Sequence, residues 1–188
     1  MREKFNLIDK IVRNLRLKRI LKFIPNNAVI CDLGCGDGEL LKVLSRKSKI
    51  IQGVGVDRHI VSGKNGKLEF INSDISEVSL PENFFNAVLM LAVIEHMDID
   101  KVSQVLAEAK RILKSGGKLI ITTPTPQSKS ILEFLAFKMK IISRDEIAEH
   151  KHYYAKNELL EILAKLGFKK VQAEYFQFHL NSFYVMEK

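Results

Sequence analysis

The chain has no tryptophan, only 2 cysteines and only 4 prolines in 188 residues. Two cysteines cannot build a disulfide framework. Cys31 and Cys35 stand four apart, which fits neither a C-x-x-C redox pair nor a metal knuckle. A zinc site wants about four ligands, so they read as one small buried residue and one small loop residue. With so little proline, 10 glycines and a hydrophobic content of 46%, the composition is not that of a disordered chain. Long apolar runs are missing as well. The longest, Ala87 to Ile94, falls far short of the ~18–20 residues that span a bilayer. Charges interrupt the N-terminus every few residues and no small-residue cleavage site follows, so no signal peptide is read. These absences point to a cytoplasmic chain without a membrane span, and the length fits one domain over 1–188.

What is present is unevenly placed. The net charge is +8, and residues 1–22 carry eight basic side chains against Glu3 and Asp9. A basic patch of this kind can bind phosphates or an anionic surface. The same stretch has Phe5, Ile8, Val12, Leu15 and Ile24 at helical spacing, which equally describes a helix over 1–24 packing one face and solvating the other.

Beyond it, Ala28–Asp32 reads as a strand, Gly38–Arg46 as a helix, and Ile50–Asp57 and Lys67–Asn72 as strands. Ala87–Ile94 reads as the fourth strand. Val102–Leu113 is a helix stopped by Lys114-Ser115-Gly116-Gly117, and Lys118–Thr123 is the fifth strand. After a helix over Asn157–Leu166, two strands at Lys169–Phe178 and Ser182–Glu187 are joined too closely for a helical crossover. The expectation is an α/β fold: a doubly wound, seven-stranded, mostly parallel sheet with an antiparallel C-terminal hairpin. Two segments depart from the rhythm. Arg58–Lys67 is too short for an ordinary crossover, so its helix is very short or missing. Pro124–Tyr154 is longer than an ordinary connection and holds the apolar stretch Ile131–Ile142, expected as a helix in a lid over the sheet.

In such sheets ligands sit outside the carboxyl ends of the strands. The first of these ends is Asp32-Leu33-Gly34-Cys35-Gly36-Asp37-Gly38, where glycines let a ligand approach main-chain N–H groups at a helix start. Counted from Gly34, a G-x-G-x-x-G fingerprint would need glycine at 39, which is glutamate, and no Lys-Ser/Thr pair supplies a P-loop. Asp37 and Glu39 would repel a pyrophosphate. The loop therefore suits a zwitterionic or cationic ligand. Asp57 ends the second strand, 19 residues past Gly38, where a carboxylate can accept from two ribose hydroxyls. Asp74 follows the third strand and can accept from an adenine amino group while Ile75 packs on the ring. The fourth strand runs into Leu91-Ala92-Val93-Ile94-Glu95-His96.

On VICDLGCGDG (29–38), VGVD (54–57), INSDI (71–75), FFNAVLMLAVIEHM (84–97) and EAKRILKSGGKLIITTP (108–124), the chain resembles class I S-adenosylmethionine-dependent methyltransferases of the small-molecule type, with their Rossmann-like fold. The resemblance runs from about residue 20 to 188. It implies S-adenosyl-L-methionine as cofactor, with Asp32, Gly34, Cys35 and Gly36 around the methionine moiety. Asp57 and Arg58 would lie at the ribose, Asp74 and Ile75 at the adenine, and Leu91 and Ala92 along the inner edge. Members often have aspartate where Asn86 stands, a position expected to orient its strand.

Methyl transfer is an in-line displacement that depends on positioning, and a hydroxyl or amine acceptor also has to lose a proton. His96, just past the fourth strand, is the candidate base, or else a histidine that shapes the loop. His150, His152 and Tyr153 are candidate acceptor-facing lid residues, or surface and capping groups. Glu149 beside the two histidines leaves a third strong ligand missing, so no metal site is expected. Three functions remain open: a methyltransferase acting on an O, N or C atom of a small molecule, an RNA or other nucleic-acid methyltransferase, and a non-catalytic cofactor-binding protein. The D/N/S-P-P-aromatic pattern of many base-amine methyltransferases is replaced by Leu91-Ala92-Val93-Ile94, which counts against nucleic acid. The chain is expected to be a monomer or a homodimer.

Overall fold

The computed structural model describes residues 15–47, 49–138 and 144–188. Among them lies an eight-stranded sheet of order β3-β4-β2-β1-β5-β6-β8-β7. At its centre is β1 (Ala28–Leu33), buried at all six positions, with β2 (Ile50–Asp57) and β5 (Phe85–Leu91) parallel on either side. Next come β4 (Leu68–Asn72), parallel to β2, and β6 (Leu113–Pro124), parallel to β5. The hairpin of β7 (Lys169–Phe176) and β8 (Asn181–Glu187) adds antiparallel to β6, as the short joint requires.

Alternation along the strands sorts the apolar side chains into two cores. Cys31, Leu33, Val88, Met90, Leu119, Ile121 and Tyr184 face one layer, closed by α2 (Ile99–Ile112) through Val102, Val105, Leu106, Ala109 and Ile112. Helix α5 (Lys156–Lys165) adds Leu159 and Leu163 to the same layer. Ala28, Ile30, Ala87, Leu89, Ile120 and Val185 face the other, closed by Leu41 and Leu44 of α1 (Glu39–Arg46) and by Leu17, Ile20 and Ile24 near the N-terminus. Strands covered on both faces are the reason for the near-continuous apolar runs.

The sequence expectations differ from the structure in a few places. There is one strand more than expected, because Arg58–Lys67 has no helix and instead forms β3 (Gly63–Asn65), antiparallel to β4 across a turn at Gly66, whose φ is +58°. Strand β5 stops at Leu91 rather than Ile94: Ala92 turns to φ +58°, a conformation a strand cannot continue, and a 3-10 turn follows over Ile94–His96. Of the basic N-terminal helix, residues 15–20 are helical, and Phe5, Ile8 and Val12 lie outside the described residues. Leu15, expected inward, is exposed, while Leu17 and Ile20 are buried. The segment 124–154, expected as a lid, holds a 3-10 turn (Pro126–Ser128), α3 (Lys129–Glu133), a π turn (Phe134–Lys138) and α4 (Arg144–Ala148). The expected helix over Ile131–Ile142 is thus observed up to Lys138 and lies beyond that outside the described residues. Asn86 Oδ1 accepts from the Val29 amide at 2.8 Å, at the amino ends of both strands. That contact orients the strand and lies far from the carboxyl ends. No helix among the described residues is long and apolar enough to cross a membrane.

Candidate active site

Four strand ends meet at one edge of the sheet. After β1 the chain passes through Gly34, Gly36 and Gly38 at φ +81°, +54° and +69°. The loop is tied to β2, since the Gly34 and Cys35 amides both donate to the Val56 carbonyl, at 2.8 and 3.1 Å. A side chain at Gly34 would place Cβ 2.5 Å from a Val93 methyl carbon, so two loops approach there as only glycine permits. A Cβ at Gly36 would meet nothing within 4 Å.

Asp57 closes β2 with both carboxylate oxygens in use: Oδ2 accepts from the Gly36 amide at 2.8 Å and Oδ1 from the His59 amide at 2.9 Å. An ionised carboxylate has about four acceptor directions, so two remain for a ligand. Asp32 lies behind the loop, 2% exposed, and burial with the nearby Asp57 charge pushes its pKa up to about 7. Among the described residues no cation pairs with this carboxyl group. Asp74 is the opposite case. The Ser76 amide at 2.8 Å, its hydroxyl at 2.7 Å and Arg58 Nη2 at 2.7 Å all donate to it, and its pKa is lowered, first by the Ser76 amide. Asn72 was not singled out in the sequence. Its side-chain amide donates to the Arg58 and Ile60 carbonyls, at 2.9 and 2.8 Å, and holds the shortened connection in shape.

A cleft of about 660 Å³ joins these groups. Gly34, Asp57, Arg58, Asp74, Ile75 and Ala92 line it from the expected set, whereas Asp32, Cys35, Gly36 and Leu91 lie behind or beside its wall. Val93, His96, Met97, Lys101, Glu149 and Lys151 line it as well. His96 is half-buried, and burial lowers its pKa against the opposing pull of the Glu149 carboxylate and carbonyl. It is a neutral imidazole whose Nδ1 has no partner among the described residues.

The three lid candidates part company. His150 stacks edge-on against His96, ring centroids 4.7 Å apart, and its Nδ1 meets the Tyr153 hydroxyl at 2.9 Å. His152 instead turns to Glu158 at 2.9 Å, whose other oxygen caps α5 by accepting from the Ala155 amide at 3.0 Å. His152 is a capping partner, the alternative left open from the sequence. The stretch is fastened to the β5 loop, since the Lys151 and His152 amides both donate to the Glu95 carbonyl, at 2.7 and 3.2 Å. Glu95 itself is 1% exposed, and burial raises its carboxyl to about 7. The only sign of it in the sequence was its place beside His96.

The fold agrees with what comparison with other proteins shows. Residues 7–173 match the methyltransferase domain family. The chain belongs to that family. It is a class I methyltransferase, and its methyl donor is S-adenosylmethionine. A carboxy-S-adenosyl-L-methionine synthase of Campylobacter jejuni is 30% identical to the methyltransferase, over 82% of this chain and 74% of the relative. A ubiquinone/menaquinone biosynthesis C-methyltransferase of Desulfotalea psychrophila is 25% identical, over 69% of this chain and 57% of the relative. Among solved structures, a methyltransferase of Archaeoglobus fulgidus superposes with a TM-score of 0.75 at 20% identity, covering 95% of this chain and 94% of that one, a likeness of fold.

The raised carboxyl of Asp32 gives the methyltransferase a pH signature. Its folded pKa of about 7 lies above the unfolded value of about 3.9, so the folded state holds the proton more tightly. Its contribution to stability is complete below about pH 4 and is lost as pH rises to about 7. Denaturant titrations without cofactor should show the stability difference between wild type and Asp32→Asn shifting against wild type across that window and levelling above it. A flat difference would contradict the assignment.

Proposed function

We propose that the methyltransferase methylates an oxygen, nitrogen or carbon atom of a small molecule bound in the cleft, with the whole chain acting as one domain and 124–154 as its lid. One observation carries this: a single cleft of about 660 Å³ is lined by Asp57 and Asp74 and also by His96, Glu149 and Lys151. The donor-side residues suit S-adenosylmethionine. Asp57 has acceptor directions left for ribose hydroxyls, Ile75 offers an apolar wall for adenine, and Asp32, with no cation paired to it among the described residues, suits an α-ammonium group. Bound there, the donor supplies an electrophilic methyl group on a sulfonium. The chain's own residues position the acceptor in line and exclude water. His96 is the acceptor-end group that makes the acceptor's proton easier to lose. A cytoplasmic setting fits the two free cysteines.

Incubation with tritiated-methyl S-adenosylmethionine should label a small-molecule fraction of a metabolite extract and leave total RNA unlabelled. Salt-resistant label in RNA would overturn the small-molecule assignment. His96→Ala should lower kcat roughly 100-fold while calorimetry shows unchanged cofactor affinity. Unchanged turnover would remove His96 from the chemistry.

A second reading draws on the Campylobacter relatives, named as synthases of a carboxylated S-adenosylmethionine, and on Lys101, which gives the cleft a cation for a carboxylate. Mass spectrometry of the sulfonium pool separates the two readings. A product heavier than S-adenosylmethionine by one carboxyl group supports the second, and a demethylated thioether with a methylated acceptor supports the first.

A further inference from the structure

Three side chains at the acceptor end satisfy one another poorly as protein groups. Glu95 is buried, and its Oε2 has no hydrogen-bond partner among the described residues. The same holds for Nδ1 of His96. His150 is half-buried against the His96 ring, and its own Nδ1 is engaged by Tyr153, which fixes the ring and leaves Nε2 to bind elsewhere. A buried, unpaired carboxylate oxygen and an unpaired imidazole nitrogen each carry a desolvation cost that a native structure normally removes. One donor atom from each of Glu95, His96 and His150 lies within 4.8 Å of the other two.

We propose that Glu95, His96 and His150 hold a divalent transition-metal ion at the acceptor end of the cleft. Two imidazoles and one carboxylate are a donor set for zinc, iron or manganese, with coordination positions left open. Bonds of about 2.0–2.2 Å require the three groups to draw in slightly. The dication meets the carboxylates of Glu95 and of Glu149, which faces His96, against the one guanidinium of Arg16 that faces Glu95. The hydrogen bond from Tyr153 to His150 is the kind of outer contact that orients metal-bound histidines.

The function follows from the open positions and rests on the methyl-transfer reading above. His96 lines the cleft, so an ion held beside it would take the oxygen of a hydroxyl-bearing acceptor and lower its pKa, the proton passing to water. The oxygen lone pair then forms the bond to the methyl carbon as the carbon–sulfur bond breaks, its electron pair staying on sulfur. The acceptor class is thereby narrowed to hydroxyl compounds. The ligands stand 54 residues apart in the sequence, too far for any spacing pattern to register.

The test uses the full chain stripped with a chelator and titrated with Co²⁺ alone, followed by visible absorption, with Zn²⁺ as competitor. Saturation at one equivalent and displacement by Zn²⁺ are expected. Glu95→Gln, which keeps the buried side chain's shape, and His150→Ala should each weaken binding at least about tenfold. His152→Ala should leave binding unchanged. No saturable binding by wild type, or binding indifferent to both ligand variants, overturns the site. Full methyl transfer in excess chelator overturns the metal's role while leaving the proposed function standing. Metal binding without any methylated acceptor does the reverse.

Discussion

Asp57→Ala should weaken S-adenosylmethionine binding roughly 100-fold or more in a calorimetric titration. In the free protein this carboxylate takes the Gly36 and His59 amides at 2.8 and 2.9 Å, and it faces the cleft with its remaining acceptor directions. Two ribose hydroxyls bound to a charged acceptor are worth about 1.5–3 kcal/mol each, and every 1.4 kcal/mol is about tenfold in affinity. The substitution also releases Gly36 from β2. The Gly34 and Cys35 amides still hold the loop to Val56, so the chain should remain folded. Asp57→Asn keeps one acceptor oxygen and should fall between the two. Unchanged affinity in Asp57→Ala, with an unchanged melting temperature, would show that the donor does not bind at this strand end.

Gly38→Ala should be the most damaging small substitution in the fold. At φ +69° an alanine costs about 1–2 kcal/mol of backbone strain. Its Cβ would lie 2.4 Å from Phe70 Cε1 and 2.8 Å from Cζ. The same ring edge also packs on Gly55, where a Cβ would stand 2.8 Å from Phe70 Cδ1. Phe70 fills the space of two missing methyl groups. Overpacking adds about 1–3 kcal/mol, and together these should lower the melting temperature by roughly 5–15 °C for a chain of this length. Gly38→Ala combined with Phe70→Leu should recover the steric part and leave the strain. A melting temperature within a degree of wild type would show that the loop is not packed in this way.

Much of this was legible in the residues themselves, because burial on both faces leaves apolar runs that alternate between two cores. The mostly parallel sheet and the closing antiparallel hairpin followed from connection lengths, and the short Arg58–Lys67 link correctly lacked a helix. The β3 turn was missed because Gly63-Lys64-Asn65 has no apolar side chain to mark a strand. The early end of β5 was missed because Ala92 takes a left-handed conformation that alanine rarely adopts. Gly34, Asp57, Asp74 and Ile75 could be placed in one cleft from the sequence because each lies at or just past the carboxyl end of a strand. The acceptor end could not be read the same way. Its shape depends on the Glu95 carbonyl receiving the Lys151 and His152 amides, a long-range backbone contact that chooses His150 over His152 without regard to side-chain type.

The two borders of the sheet have a consequence for how the molecule behaves in a crowded solution. One ends on β3, only three residues long and all exposed, with Lys64 in the middle. The other ends on β7, whose opening pair Lys169 and Lys170 is exposed and which carries Glu174 further along. A neighbouring chain trying to extend the ladder finds too few free amides on one side and unmatched charge on the other. Growth by strand addition, the common route from a misfolded intermediate to a fibril, is thereby discouraged at both margins, and self-association has to proceed through helices or loops.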